Sequence, residues 1–365
     1  MTRITIRSRL TWTTAKSGGY GAVAVCAGVA IASCSTSTSP GRHHERAYRI
    51  GQVARASALN RRAITAEPPL VLANSDAGTS VSAIGLGEGR RVSRIRFGSA
   101  GHRERVGPAA WAPNGRSFAV SVGNSSYGQQ GHVVLVRWGT WQRIAVRAAA
   151  FHPAPRAIAF SPDGRYLAVP GVADYRREGL YAYDLRRGRT TRLLTGPVGI
   201  GTNLSWSADG RGIAFSRDPG TGGGIYILDL AARKVSQLTT DGVDPAWSPD
   251  GAEIAFVSHR GGVGRSCTED GCEPNGEIDI IRTDGSDRRR LTHTRAGESR
   301  PAWSADGAHL VAQLTSDEGG SAGGVVVFRA DGSCYRVIVP PTDGYGYQLA
   351  SNALRPSRAP LPGRC

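Results

Sequence analysis

Four aspartates and an asparagine, Asp163, Asp209, Asp250, Asp306 and Asn114, recur at one point of a repeated segment. Carboxylates drawn around a common axis could hold a cation or share a proton. Each of these residues, however, precedes a glycine in a chain reversal such as Ser248-Pro249-Asp250-Gly251. A short polar side chain in that place bonds the amides of its own turn, so a turn-forming role is expected. The paired His43 and His44 have no third ligand nearby, and Cys267 and Cys272 have no second Cys or His pair at zinc spacing. No Gly-x-Ser-x-Gly elbow, His-Glu-x-x-His, P-loop or dinucleotide fingerprint occurs in the chain. The reading is a protein that is not an enzyme, with no metal and no cofactor.

The elements that carry those turns recur. Ala246-Trp-Ser-Pro-Asp-Gly-Ala-Glu-Ile-Ala-Phe256 has counterparts at 110–120, 159–169, 205–215 and 302–312, with glycines at 115, 164, 210, 251 and 307. In each, proline or a small residue enters the turn, Asp or Asn follows, and glycine takes the positive φ that resets the twist for a hairpin. Two further strands follow, as in Glu277–Arg282 and Arg288–Thr292. Four short strands per repeat, at spacings of 41 to 56 residues, make one propeller blade. The aromatic three residues before each turn residue (Trp111, Phe160, Trp206, Trp247 and Trp303) is expected to fill the wedge between blades.

Trp-Ser-Pro-Asp-Gly followed by Ile-Ala-Phe, with the Ile225-Tyr-Ile-Leu-Asp-Leu230 strand and the closing Gln237-Leu-Thr239, resembles the WD40-like (PD40) repeat of TolB-type β-propellers. The resemblance covers roughly residues 67 to 358. It implies a propeller and a protein or peptide ligand. The protein for which the family is named carries an α/β domain before its propeller, and residues 34–66 are too few for one, so the resemblance is to the propeller alone.

The blade count follows from the two ends. Residues 69–73, 81–86 and 91–97 match the second, third and fourth strands of a blade whose first strand is missing there, while Ala353-Leu-Arg-Pro-Ser-Arg358 aligns with Ala246-Trp-Ser-Pro-Asp-Gly251. The expected fold is all-β: a six-bladed β-propeller of four-stranded antiparallel blades, the first completed by a C-terminal strand.

Residues 1–33 read as a targeting segment. Arg3, Arg7, Arg9 and Lys16 precede an apolar run over 21–33 that is too short to span a bilayer as a helix. Ile31-Ala32-Ser33-Cys34 then resembles a bacterial lipobox, with Cys34 as the lipidated residue. The Ser/Thr-rich and charged stretch 34–66 reads as a flexible tether, and 67–365 as the propeller. The expected location is the extracytoplasmic face of the cell-envelope membrane, held only by a lipid anchor; the alternative is secretion.

Six cysteines occur, and with Cys26 in the apolar run and Cys34 lipidated, Cys267, Cys272, Cys334 and Cys365 remain. In an oxidising compartment they are expected to pair as 267–272 and 334–365. The formal charge is +16, and of 45 basic residues only Lys16 and Lys234 are lysines. Such a surface favours anionic partners. The arginines are nevertheless scattered, without aromatic interleaving, which excludes nucleic acid.

Binding is expected on the face opposite the Ser-Pro-Asp-Gly turns, where the loops at 123–131, 170–179, 216–224, 259–276 and 316–324 vary most. The longest carries His259, Arg260, Arg265, Glu269 and Asp270. A second set, Asn203, Asp244 and Arg300, lies three residues before the motif aromatic, where it could face the central channel. The function read from this is a surface-tethered, monomeric binder of a protein, a peptide or an anionic cell-wall polymer. The alternative is a secreted hydrolase or lyase with its site at the channel mouth.

Overall fold

The structure, a computed structural model, describes residues 69–75, 78–87, 89–97, 104–123, 131–146, 157–172, 178–195, 199–217, 223–262, 265–268, 271–315, 323–341 and 347–357. The chain divides into two compact units, Met1–Ala47 and Tyr48–Cys365, and every described residue lies in the second. Among those residues there is no helix; there are 26 strands, β1 to β26 in chain order.

Blade 5 shows how the repeat folds. Its strands are β16 (Val243–Trp247), β17 (Glu253–Ser258), β20 (Glu277–Arg282) and β21 (Arg289–Arg290). In the turn between the first two, Gly251 N donates to Ser248 O at 3.0 Å, and Gly251 holds φ at 79°. The Ser248 hydroxyl donates to Asp250 Oδ1 at 2.6 Å and accepts from Glu253 N at 2.9 Å. Asp250 Oδ1 also accepts from Ala252 N at 3.0 Å. Asp163, Asp209 and Asp306 make the same bonds in their own turns, and Asn114 Oδ1 accepts from Arg116 N. The aspartates are therefore turn-formers, bonded to their own hairpins.

Five blades share this sequential order, and the sixth does not. Blade 1 runs β26 (Tyr347–Leu354), β1 (Leu70–Ser75), β2 (Ser80–Gly85), β3 (Arg91–Arg96). Leu354 lies opposite Val71 and Gln348 opposite Asn74, and Arg355 N donates to Leu70 O at 2.8 Å. The last strand of the chain thus supplies the innermost strand of the first blade. It touches the inner strands of both neighbours, β4 (Arg105–Trp111) of blade 2 and β22 (Glu298–Trp303) of blade 6, which closes the circle.

The cores lie between blades. Ile278 and Ile280 of blade 5 pack with Leu310 and Val326 of blade 6, and Val133 of blade 2 packs with Leu167 of blade 3. Phe118, Phe215, Phe256 and Phe328 are wholly buried; truncating one such ring costs about 3 to 5 kcal/mol. The motif tryptophans bridge blades as expected: Trp303 Nε1 donates to Ala246 O at 3.0 Å, and Trp247 packs against the cluster that holds Ala214 and Ile225 of blade 4.

One element escapes the repeat pattern. Within the 259–276 loop, β18 (Arg265–Thr268) and β19 (Gly271–Pro274) form a two-stranded hairpin of their own, with Cys267 and Cys272 directly opposite each other. The sequence read this segment as an inter-strand loop, because it falls between two strands that pair with one another.

Candidate functional site

Because each first-to-second strand turn emerges on one face, each second-to-third loop must emerge on the other. The β18–β19 hairpin belongs to that second face, and its root is held firmly. His259 and Arg260 leave β17 as exposed residues. The Arg290 side chain donates to the carbonyls of Arg260 and Gly261, and its Nε donates to Asp279 Oδ1 at 3.0 Å. Asp279, almost fully buried, also accepts from Arg288 Nε at 2.9 Å. Arg288 then clamps Asp241 through Nη1 and Nη2 at 2.7 and 2.8 Å. That guanidinium holds the Asp241 carboxyl far below the usual carboxylate range. Two-pronged, partly buried ion pairs of this kind fix orientation more than they add stability.

The other root of the hairpin rests on a buried carboxyl pair that no sequence motif announces. Glu277 and Glu298 are 0% and 1% exposed. The Thr292 hydroxyl lies between them, 2.9 Å from Glu277 Oε2 and 3.0 Å from Glu298 Oε2. Thr294 and Tyr335 donate their hydroxyls to Glu298 Oε1, each at 2.6 Å. Glu298 N donates to Gly276 O at 2.7 Å, tying the pair to the last residue before β20. Burial, reinforced by the neighbouring Glu277, pushes the Glu298 carboxyl up to about 7. A carboxyl at that value could serve as a general acid, yet Glu298 does not meet solvent and cannot reach a substrate.

The second expected set lies on inner strands. Asn203 on β12 (Ile200–Trp206) and Asp244 on β16 are buried, and Arg300 on β22 is half-buried with Nη1 donating to Leu349 O. Strand pairing slips at this point in all three, and Asp244 and Arg300 hold left-handed φ values of 52° and 53°. The position is a bulge, which re-aims a side chain at the cost of local ladder bonds. Asn203 Oδ1 accepts from Leu204 N at 2.9 Å, while its Nδ2 is buried with no hydrogen-bonding partner among the described residues. Arg265 lies on β18, the Glu269 and Asp270 positions lie outside the described residues, and so do Cys34 and Cys365. Cys334 is disulfide-bonded.

On the axis at the turn face, a cavity of about 250 Å³ is lined by residues from all six blades, among them Trp111, Phe160, Trp206, Trp247, Trp303 and Leu354. Its hydroxyl groups are those of Ser205 and Ser304, engaged with Trp247 N and Asp306. Among the described residues lining it there is no Asp, Glu, His or Cys. This mouth can accept an apolar group, and its described lining supplies no general acid, base or metal ligand.

No family model matches the chain. "Uncharacterized peptidase YuxL" of Bacillus subtilis (strain 168) is 36% identical over 78 residues, 21% of this chain and 10% of that protein. "Tol-Pal system protein TolB" of Francisella tularensis subsp. mediasiatica is 43% identical over 60 residues, 16% of this chain and 14% of that protein. The chain thus matches about a tenth to a seventh of the length of these curated relatives. Among solved structures, TolB from Acinetobacter baumannii aligns with a TM-score of 0.60 at 21% identity, covering 79% of this chain and 66% of that one. The putative TolB from Agrobacterium tumefaciens aligns with a TM-score of 0.56 at 19% identity, covering 78% of this chain and 92% of that one. The chain has the fold of the TolB-type six-bladed β-propellers.

Proposed function

We propose that this protein is a non-catalytic binding propeller, tethered to the cell-envelope membrane through Cys34, that holds a protein partner with an anionic surface at its long-loop face. A propeller of this fold suits protein binding in general. The observation that carries the choice of face is the β18–β19 hairpin. It is the one element added to the repeat among the described residues, and Arg290 on one side and Glu298 on the other brace its root. A rigidly rooted projection on a stable frame keeps the entropy cost of docking low. The exposed Arg260 and the formal charge of +16 favour an anionic counterpart.

The peptidase reading borrowed from one relative rests on a match to a tenth of that protein. The lining of the axial cavity gives it no support. That cavity does favour a second reading, in which an apolar side chain of the partner inserts at the turn face.

Site-specific photo-crosslinking in intact cells tests the choice. A photoreactive residue replacing Arg260 is expected to capture the partner, and one replacing Arg211 on the turn face is not; capture from Arg211 alone overturns the face assignment. In the same cells Cys34→Ala is expected to leave the membrane fraction, and its retention there overturns the tether.

A further inference from the structure

At the seam between blades 1 and 2, on the turn face, three arginines line one cavity. Arg116, Arg137 and Arg355 line a cavity of about 610 Å³ together with Asn114, Ser117 and Trp138, and none of these lining residues is acidic. The volume is within the range of small-molecule sites.

Arg355 is the fixed member. It stands where blades 3 to 6 have the turn serine, Ser161, Ser207, Ser248 or Ser304, and it is 2% exposed. Its Nε donates to Gly115 O at 2.7 Å, and its guanidinium lies 5.3 Å from the Trp111 ring centroid and 5.4 Å from that of Trp138. Arg116 and Arg137 are exposed, so their heads can adjust around a guest.

The blade 2 turn also departs from its counterparts. Blades 3 to 6 place an aspartate here, whereas blade 2 has Asn114. The one carboxylate that the repeat would set beside the three arginines is replaced by a neutral amide of nearly the same shape. Guanidinium forks match the paired oxygens of carboxylates and phosphates.

From this arrangement we infer that the seam pocket binds a small oxyanion ligand, a polycarboxylate or a phosphate, with Arg355 as the buried anchor and Arg116 and Arg137 as the closing arms. The site is separate from the long-loop face and does not depend on the partner proposed there.

Isothermal titration of the full chain with inorganic phosphate and, separately, with citrate at low ionic strength tests the assignment and tells the two chemistries apart. Saturable one-to-one binding of at least one of them is expected. Arg116→Gln and Arg137→Gln, both at exposed positions, should each weaken it at least tenfold. Arg211→Gln, at the equivalent turn position of blade 4, should leave it unchanged. Absence of binding by both anions overturns the proposal. So does equal affinity in the Arg116 and Arg137 variants, or an equal loss in the Arg211 variant, which would mean that only net charge is being read.

Discussion

Arg355→Ala is expected to lower the thermal midpoint by about 5 °C, on the order of 3 kcal/mol for a domain of this size. Three contacts are lost together: the charged hydrogen bond to Gly115 O and the stacking on Trp111 and Trp138. A hydrogen bond to a charged group contributes about 1.5 to 3 kcal/mol, and a desolvated cation–π contact about 2. The burial cost of the guanidinium offsets part of that sum. Arg355→Met, which fills the space without charge, should therefore fall between wild type and the alanine variant. The location matters as much as the size. Arg355 belongs to the segment that closes the ring, and its contacts are on blade 2, so it latches the closing strand to the neighbouring blade. A drop of less than 2 °C in the alanine variant would mean that the strand is held by its ladder bonds to β1 alone.

Wild-type stability is expected to fall by about 3 kcal/mol between pH 5 and pH 8, and Glu298→Gln should remove that dependence. The Glu298 carboxyl is raised from 4.5 to about 7 in the folded protein. Above pH 4.5 the unfolded chain gives up a proton that the folded chain keeps, so the folded state binds more protons and stability declines as pH rises. The decline runs from about 4.5 up to about 7 and then levels off. A shift of that size corresponds to about 3 kcal/mol at 1.36 kcal/mol per pH unit. Burial and the neighbouring Glu277 are the physical causes. The Asp241 carboxyl, lowered by Arg288, has the opposite sign. Its contribution is complete well below pH 5 and does not enter this window. Urea midpoints at pH 5, 6, 7 and 8 check both variants. Glu298→Gln should match wild type near pH 5 and exceed it at pH 8; parallel profiles would show that the Glu298 carboxyl is not raised toward neutrality.

The repeat made the ring legible. Turn residues such as Pro249, Asp250 and Gly251 fix a local geometry that any copy must adopt, and copies at blade spacing leave little choice of architecture. The tail could be placed because Leu354 and Pro356 keep an apolar residue and a proline where the motif has Trp247 and Pro249. What the sequence could not show depends on contacts between copies. Glu277 and Glu298 belong to different blades and meet only when blades 5 and 6 pack. Arg355 reads as a motif residue lost from a serine position, and its place between Trp111 and Trp138 exists only once the ring closes. Asn203 and Asp244 were legible as special inner-strand positions, but their burial follows from the bulge, which sequence spacing does not reveal. The β18–β19 hairpin left a trace in the spacing of Cys267 and Cys272, too faint to separate a hairpin from a loop.

The faces, the latch and the seam pocket all depend on the closing strand, and native-state hydrogen exchange reads that strand amide by amide. The amides of Leu349 and Arg355, bonded to Gln313 Oε1 and Leu70 O, are expected to exchange as slowly as that of Ala255 in the heart of blade 5. Exchange of both as fast as the outer-strand amides of Arg289 and Arg290 would contradict a ring closed by the end of the chain.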